Sequence, residues 1–174
     1  MTASESVLEL ESHLGLRLPE EFRLWLLDPE ALYPVPSDVN IPDESPWIDE
    51  VSMLLGAEQI LADSLQQKEL LEAGVKDFPS KTLRIGDNEM GDHYLLSLRP
   101  NDFGSVYFYF HETANPEEDD DSGIYTLSDS FMSWLSTLSR KEPDPSIPDW
   151  NRIREEQLQK ILSKPSKRWW QVWK

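Results

Sequence analysis

Three histidines, His13, His93 and His111, and no cysteine bound the imidazole and thiol chemistry open to this chain. Asp92-His93 and His111-Glu112 each set a carboxylate beside an imidazole. If the strands that carry them pair, the four groups could converge to bind a metal ion or shift a histidine pKa. The other account is two ordinary histidines at strand ends, because two dipeptides are a weak signal. No nucleophile elbow, phosphate loop, dinucleotide fingerprint or HExxH motif is present. We therefore expect no enzyme, no catalytic residues, no cofactor and no metal ligands.

The other concentrated chemistry is the run Glu117, Glu118, Asp119, Asp120 and Asp121. Glu118, Asp120, Ser122, Gly123 and Asp129 fall at positions of a calcium-loop template, but a match needs Asp first, a bidentate Glu last and a preceding helix. Two readings remain. Clustered carboxylates repel one another when free, so the five acids suit an anionic surface facing a basic partner, which would relieve that repulsion. Like-charge blocks also occur as solvated, flexible loops.

Charge extends the argument to the whole chain. Sixteen Lys and Arg against 33 Asp and Glu give a net charge of −17 over 174 residues. Such a field repels phosphate backbones and anionic headgroups, so nucleic acid and membrane are not expected partners. It attracts cationic proteins, and it also serves plain solubility. The absence of Cys agrees with a reducing compartment. Acidic residues stand where a signal peptide needs a basic region, and no stretch reaches membrane-spanning length, so a cytoplasmic location is expected.

The elements that must position these groups follow from periodicity and punctuation. Thr2 and Glu5 have capping-box spacing before Val7, Leu10 and Leu14, and Gly15 closes that helix. Pro19, Glu20 and Glu21 suit the start of a second helix, with Leu18, Phe22, Trp25 and Leu26 as its apolar stripe and an end near Asp28-Pro29. Five prolines between Pro29 and Pro46 predict an extended surface loop. Trp47, Ile48 and Val51 to Leu55 read as a short strand. A third helix follows, with Ala57, Ile60, Leu61, Leu65 and Leu71 on its apolar side and Gly74 at its end.

Three strand signals come next, at Thr82 to Ile85, His93 to Leu98 and Ser105 to Tyr109 with Phe110, separated by turns that suit an antiparallel meander. The run VYFYF is apolar on both sides, as in a central strand covered on both faces. In RIGDNEMGD, Gly86 and Gly91 permit backbone conformations closed to other residues, while Asp87, Asn88 and Asp92 can bond turn amides. Ile124 to Leu127 predicts a short edge strand. Ser128 can cap a helix carrying Phe131, Trp134, Leu135 and Leu138. The fold class is α+β: one domain, a mainly antiparallel central sheet flanked by helices, and an appended C-terminal helix.

Four blocks carry a resemblance: LGLRLPEEFRLWLL, LRIGDNEMGDHYLLSL, GSVYFYFHE and LSDSFMSWLSTL. Together they resemble the SUKH superfamily, shared by fungal cell-wall synthesis regulators and bacterial toxin-immunity proteins. They span most of Val7 to Leu138. Many members have a run of glycines where this chain has Glu89-Met90. The resemblance implies a SUKH-like domain over residues 1–141 that binds a protein, most simply an immunity protein neutralising a cognate toxin, such as a basic nuclease, by stoichiometric binding. The alternative it implies is a regulatory or scaffolding protein akin to the fungal members. Neither fixes an oligomeric state.

Residues 142–174 lie outside the resemblance. A Pro-rich connection leads to an amphipathic segment with Trp150, Ile153, Gln157 or Leu158, and Ile161 on one side. From Asp149 to Lys174 there are seven basic and three acidic residues. The closing KRWWQVWK reads either as a partner-binding or membrane-touching patch or as aromatics that fold back while the cations meet an acidic face.

Overall fold

The structure, a computed structural model, describes residues 2–28, 37–39, 49–88 and 90–140. The expected appended helix and Trp-rich tail lie outside the described residues, as do Trp47 and Ile48.

Helix α1, Ala3–Leu14, starts with the predicted capping box: Glu5 N donates to Thr2 Oγ1 at 3.3 Å, and Thr2 N donates to Glu5 Oε2 at 2.7 Å. Gly15, with φ of 68°, ends it in the left-handed conformation that glycine adopts without a Cβ penalty. Helix α2, Glu20–Leu27, opens after Pro19 and buries Phe22, Trp25 and Leu26. Glu11 fixes one helix to the other, accepting from Leu18 N at 3.0 Å and lying 3.4 Å from Arg23 Nε.

Strands β1 (Ser37–Val39), β2 (Asp49–Val51) and β3 (Met53–Leu54) precede helix α3, Ala57–Glu72. Strands β4 (Thr82–Asp87), β5 (His93–Ser97), β6 (Val106–Tyr109) and β7 (Ile124–Ser128) follow, then helix α4, Phe131–Thr137, and strand β8, Ser139–Arg140. The main sheet has the order β3-β4-β5-β6-β7 with every pair antiparallel, so the predicted meander and the α+β class hold.

Side-chain alternation divides this sheet into two covered faces. Leu83, Ile85, Tyr94, Leu96, Val106 and Phe108 join the buried residues of the four helices in one core. Leu95, Tyr107 and Tyr109 point the other way, into a smaller cluster with Phe78, Ala114 and Ile124. VYFYF is therefore covered on both sides, as expected, although the middle strand is β5. Helices α2 and α4 meet through aromatic rings: Phe131 stands edge-on to Phe22 at 4.8 Å and to Trp25 at 5.0 Å, within the range that favours such geometry.

Several expectations need correction. The strand predicted over Val51 to Leu55 is broken at Ser52, and its halves enter different sheets: β2 pairs with β1, while β3 pairs with β4. A second, three-stranded sheet ordered β2-β1-β8 places a strand inside the segment expected to be loop. Ser130, not Ser128, caps α4, its Oγ accepting from Ser133 N at 3.2 Å. Leu65 and Leu71 are 41% and 61% exposed, because α3 buries only Ala57, Ile60, Leu61 and Ser64. Gly91 has φ of 93°, but Gly86 is required for a different reason: a Cβ there would lie 2.8 Å from the Met53 carbonyl oxygen.

Candidate functional site

The acidic run sits on the β6–β7 hairpin loop, which its own backbone closes. Phe110 N donates to Gly123 O at 2.8 Å, and Asn115 O accepts from Glu118 N at 3.1 Å and Asp119 N at 2.9 Å. Ser122 Oγ accepts from Asn115 N at 2.6 Å and donates to Asp119 O at 2.8 Å. Gly123 allows the crossing, since a Cβ would stand 2.8 Å from Phe110 O.

Two cations from distant parts of the chain pin one end of this loop. Asp120 Oδ1 lies 2.7 Å from Lys76 Nζ and accepts from Ser80 N at 2.7 Å. Arg99 reaches Asp121 Oδ1 at 2.6 Å and Asp120 Oδ2 at 3.3 Å, and its Nε donates to Ser80 O at 3.1 Å. Burial pushes the Asp120 carboxyl up, but Lys76 and the Ser80 amide outweigh it and hold the group below its ordinary range. Arg99 N in turn donates to Ser97 Oγ at 3.2 Å. Asp102 accepts from Ser97 Oγ at 2.6 Å and from the Tyr107 hydroxyl, bracing the β5–β6 turn; burial and then this bond push Tyr107 up to about 12.

The five acids therefore divide. Asp120 and Asp121 hold the loop through Lys76 and Arg99, although Asp121 is itself exposed, whereas the exposed Glu117, Glu118 and Asp119 meet no cation among the described residues. Of these three, Asp119 accepts from Asp121 N, and the Glu117 and Glu118 carboxylates have no bonded partner among the described residues. The calcium-template positions do not assemble. Asp120 is spent on Lys76 and Ser80, and Asp129 follows the five residues of β7 beyond Gly123. Among the described residues, no group of three or more His, Cys, Asp or Glu could hold a metal ion.

The histidines pair differently from the dipeptide reading. His93 Nδ1 is 2.7 Å from Asp87 Oδ1, and His111 Nδ1 is 2.6 Å from Asp92 Oδ1. Each imidazole thus takes a carboxylate other than its sequence neighbour. Asp92 is buried and also accepts from His111 N at 3.1 Å and Asn88 Nδ2 at 2.9 Å, while Asn88 Oδ1 accepts from Asp92 N and Met90 N. This is a turn staple. Asp87 is engaged by Arg84 through Nε at 2.6 Å and Nη2 at 2.7 Å, and Arg84 Nη1 continues to Asp63 on α3 at 2.8 Å. Burial raises the Asp87 carboxyl, but the bonds from His93 and Arg84 prevail and hold it below its ordinary value.

Sequence reasoning missed Lys76, Ser80 and Arg99 as loop anchors and Arg84 as the tie between sheet and helix. No local pattern could have found the anchors, since the Ser80–Asp120 bond spans 40 residues. Arg84 did carry a signal, because it stands three residues before Asp87 on a strand otherwise closed to charge.

Together these features define an α+β domain on one five-stranded antiparallel sheet, with a pinned acidic hairpin loop at its surface. The model of the SMI1 / KNR4 family (SUKH-1) matches residues 2–137, and the chain belongs to that family. No curated protein matches the chain. No helix among the described residues is long and apolar enough to cross a membrane.

Proposed function

We propose that this is a cytoplasmic, non-catalytic immunity protein that binds a cognate cationic toxin stoichiometrically and covers its active site or substrate path. Family membership supports protein binding in general. The observation that carries the finer reading is the division of labour in the acidic loop: Asp120 and Asp121 fasten it, and Glu117, Glu118 and Asp119 stand exposed on the fastened frame. A basic surface meeting those three acids relieves their mutual repulsion, and the net charge of −17 steers its approach. Little loop entropy remains to be lost when the partner arrives.

The test is recovery of the tagged protein from its native host at low and moderate salt, with mass spectrometry of what accompanies it. One stoichiometric basic partner, released by salt and by Glu117→Lys/Glu118→Lys/Asp119→Lys, is the expected result. Rescue of cells expressing that partner completes it. Several housekeeping proteins held equally by the triple variant would sink this reading in favour of a scaffold.

A further inference from the structure

Helix α3 buries residues only as far as Ser64 and then continues for two more turns, to Glu72. The chain reverses at Gly74, with φ of 85°, and returns beneath the helix toward Thr82. Between the end of α1, this overhanging half of α3 and residues 75–82 lies a groove of about 320 Å³, open along one side and mostly apolar within. Leu14, Leu16 and Leu98 contribute to its lining, and Leu71 and Val75 line it while remaining 61% and 42% exposed.

The charge of the groove opposes that of the molecule. Its lining includes Lys68, Lys76 and Lys81 against one carboxylate, Asp77, in a protein of net charge −17. Lys76 is occupied by Asp120, but Lys68 and Lys81 have no ion-pair partner among the described residues. Lys81 also has φ of 56°, the one positive φ outside glycine among the described residues. That conformation costs a lysine about 1 kcal/mol and sits more easily under glycine or asparagine. Its carbonyl accepts from Leu98 N at 2.8 Å, which keeps the residue at the edge of the groove.

We infer that this groove docks an extended segment of a protein partner, with an apolar side chain between Leu71 and Val75 and a neighbouring carboxylate held by Lys68 and Lys81. The volume stands at the low end of small-molecule pockets, about 300–1,000 Å³. A small ligand would leave the outer faces of Leu71 and Val75 in water, whereas a polypeptide laid along the groove covers them. The inference is independent of the toxin-binding reading, because it concerns a different surface that takes the opposite charge. Lys76 and Ser80 border both surfaces, so one partner can present a basic patch to the loop and an acidic-apolar strand to the groove.

The test uses the full chain labelled with ¹⁵N and three probes: acetyl-Leu-Leu-Glu-Glu amide, acetyl-Leu-Leu-Lys-Lys amide and decanoate. The acidic peptide is expected to shift the amides of Leu71, Val75, Lys76 and Lys81. It should bind about tenfold more tightly than the lysine peptide, and the preference should vanish in Lys68→Glu/Lys81→Asn. Leu71→Asp should abolish binding of both peptides. All three substitutions change exposed side chains, and asparagine keeps the backbone of residue 81; thermal melts within a few degrees of the parent verify the fold. No localised shift, equal affinity for the two peptides, or undiminished binding by the variants overturns the proposal. Tighter binding of decanoate at the same amides also overturns it, assigning the groove to a small amphiphile.

Discussion

Asp87 and Asp120 do their work as anions. Each folded carboxyl sits below its usual value of 3.8, so each contributes stability that is fully present above that value and is lost as the pH falls through the folded value. Melting temperature should therefore drop below about pH 4, and Asp87→Asn should flatten that acid limb. At neutral pH the same variant should cost about 2 kcal/mol in denaturant unfolding, because Arg84 and His93 lose a nearly buried charged partner. Asp120→Asn should affect loop order more than global stability, since its side chain is 37% exposed; faster amide exchange at Ser80 and residues 117–121 is the measurement. At this scale the sequence was only half legible. It marked the five acids and the dipeptides Asp92-His93 and His111-Glu112 as chemistry, but which imidazole meets which carboxylate depends on register. His93 opposes both Asp87 and Tyr109 across neighbouring strands, which dipeptides do not encode.

The elements were easier to find than their edges, and the reason is cooperative burial. The Phe131, Trp134 period specified α4 because both residues fill the core shared with α2, yet its cap fell two residues later than expected. Ser130→Ala should cost about 1 kcal/mol, and Ser128→Ala much less. Trp134 is 1% exposed and its indole N–H has no hydrogen-bond partner among the described residues. Trp134→Ala should thus cost about 3–5 kcal/mol by cavity formation, whereas Trp134→Phe, sacrificing no hydrogen bond, should cost markedly less; urea titrations separate the two. The three-stranded sheet escaped sequence reading because its strands are two or three residues long, too short for alternation to register. Gly86 was recognised as special, but its cause is the approach of β3. Gly86→Ala should destabilise by about 2 kcal/mol as the added methyl meets the Met53 carbonyl.

For the whole molecule, charge and fold separate cleanly. The α+β class followed from the order of periodic segments, whereas a formal charge of −17 says nothing about which loop presents it. If the proposed partner is cationic, its association rate should fall steeply between low and moderate salt while dissociation changes little, as stopped-flow mixing would show. A chain ending at Lys141 should retain that binding if the family domain alone carries it. The β6–β7 hairpin has one last consequence, for change over generations. Its closure rests on Asn115, Asp119, Ser122 and Gly123, and its fastening on Asp120 and Asp121, so the side chains of Glu117 and Glu118 bear almost none of the cost of folding. Substitutions there can accumulate without being purged for instability, leaving a lineage free to explore new partners at the tip of an unchanged scaffold.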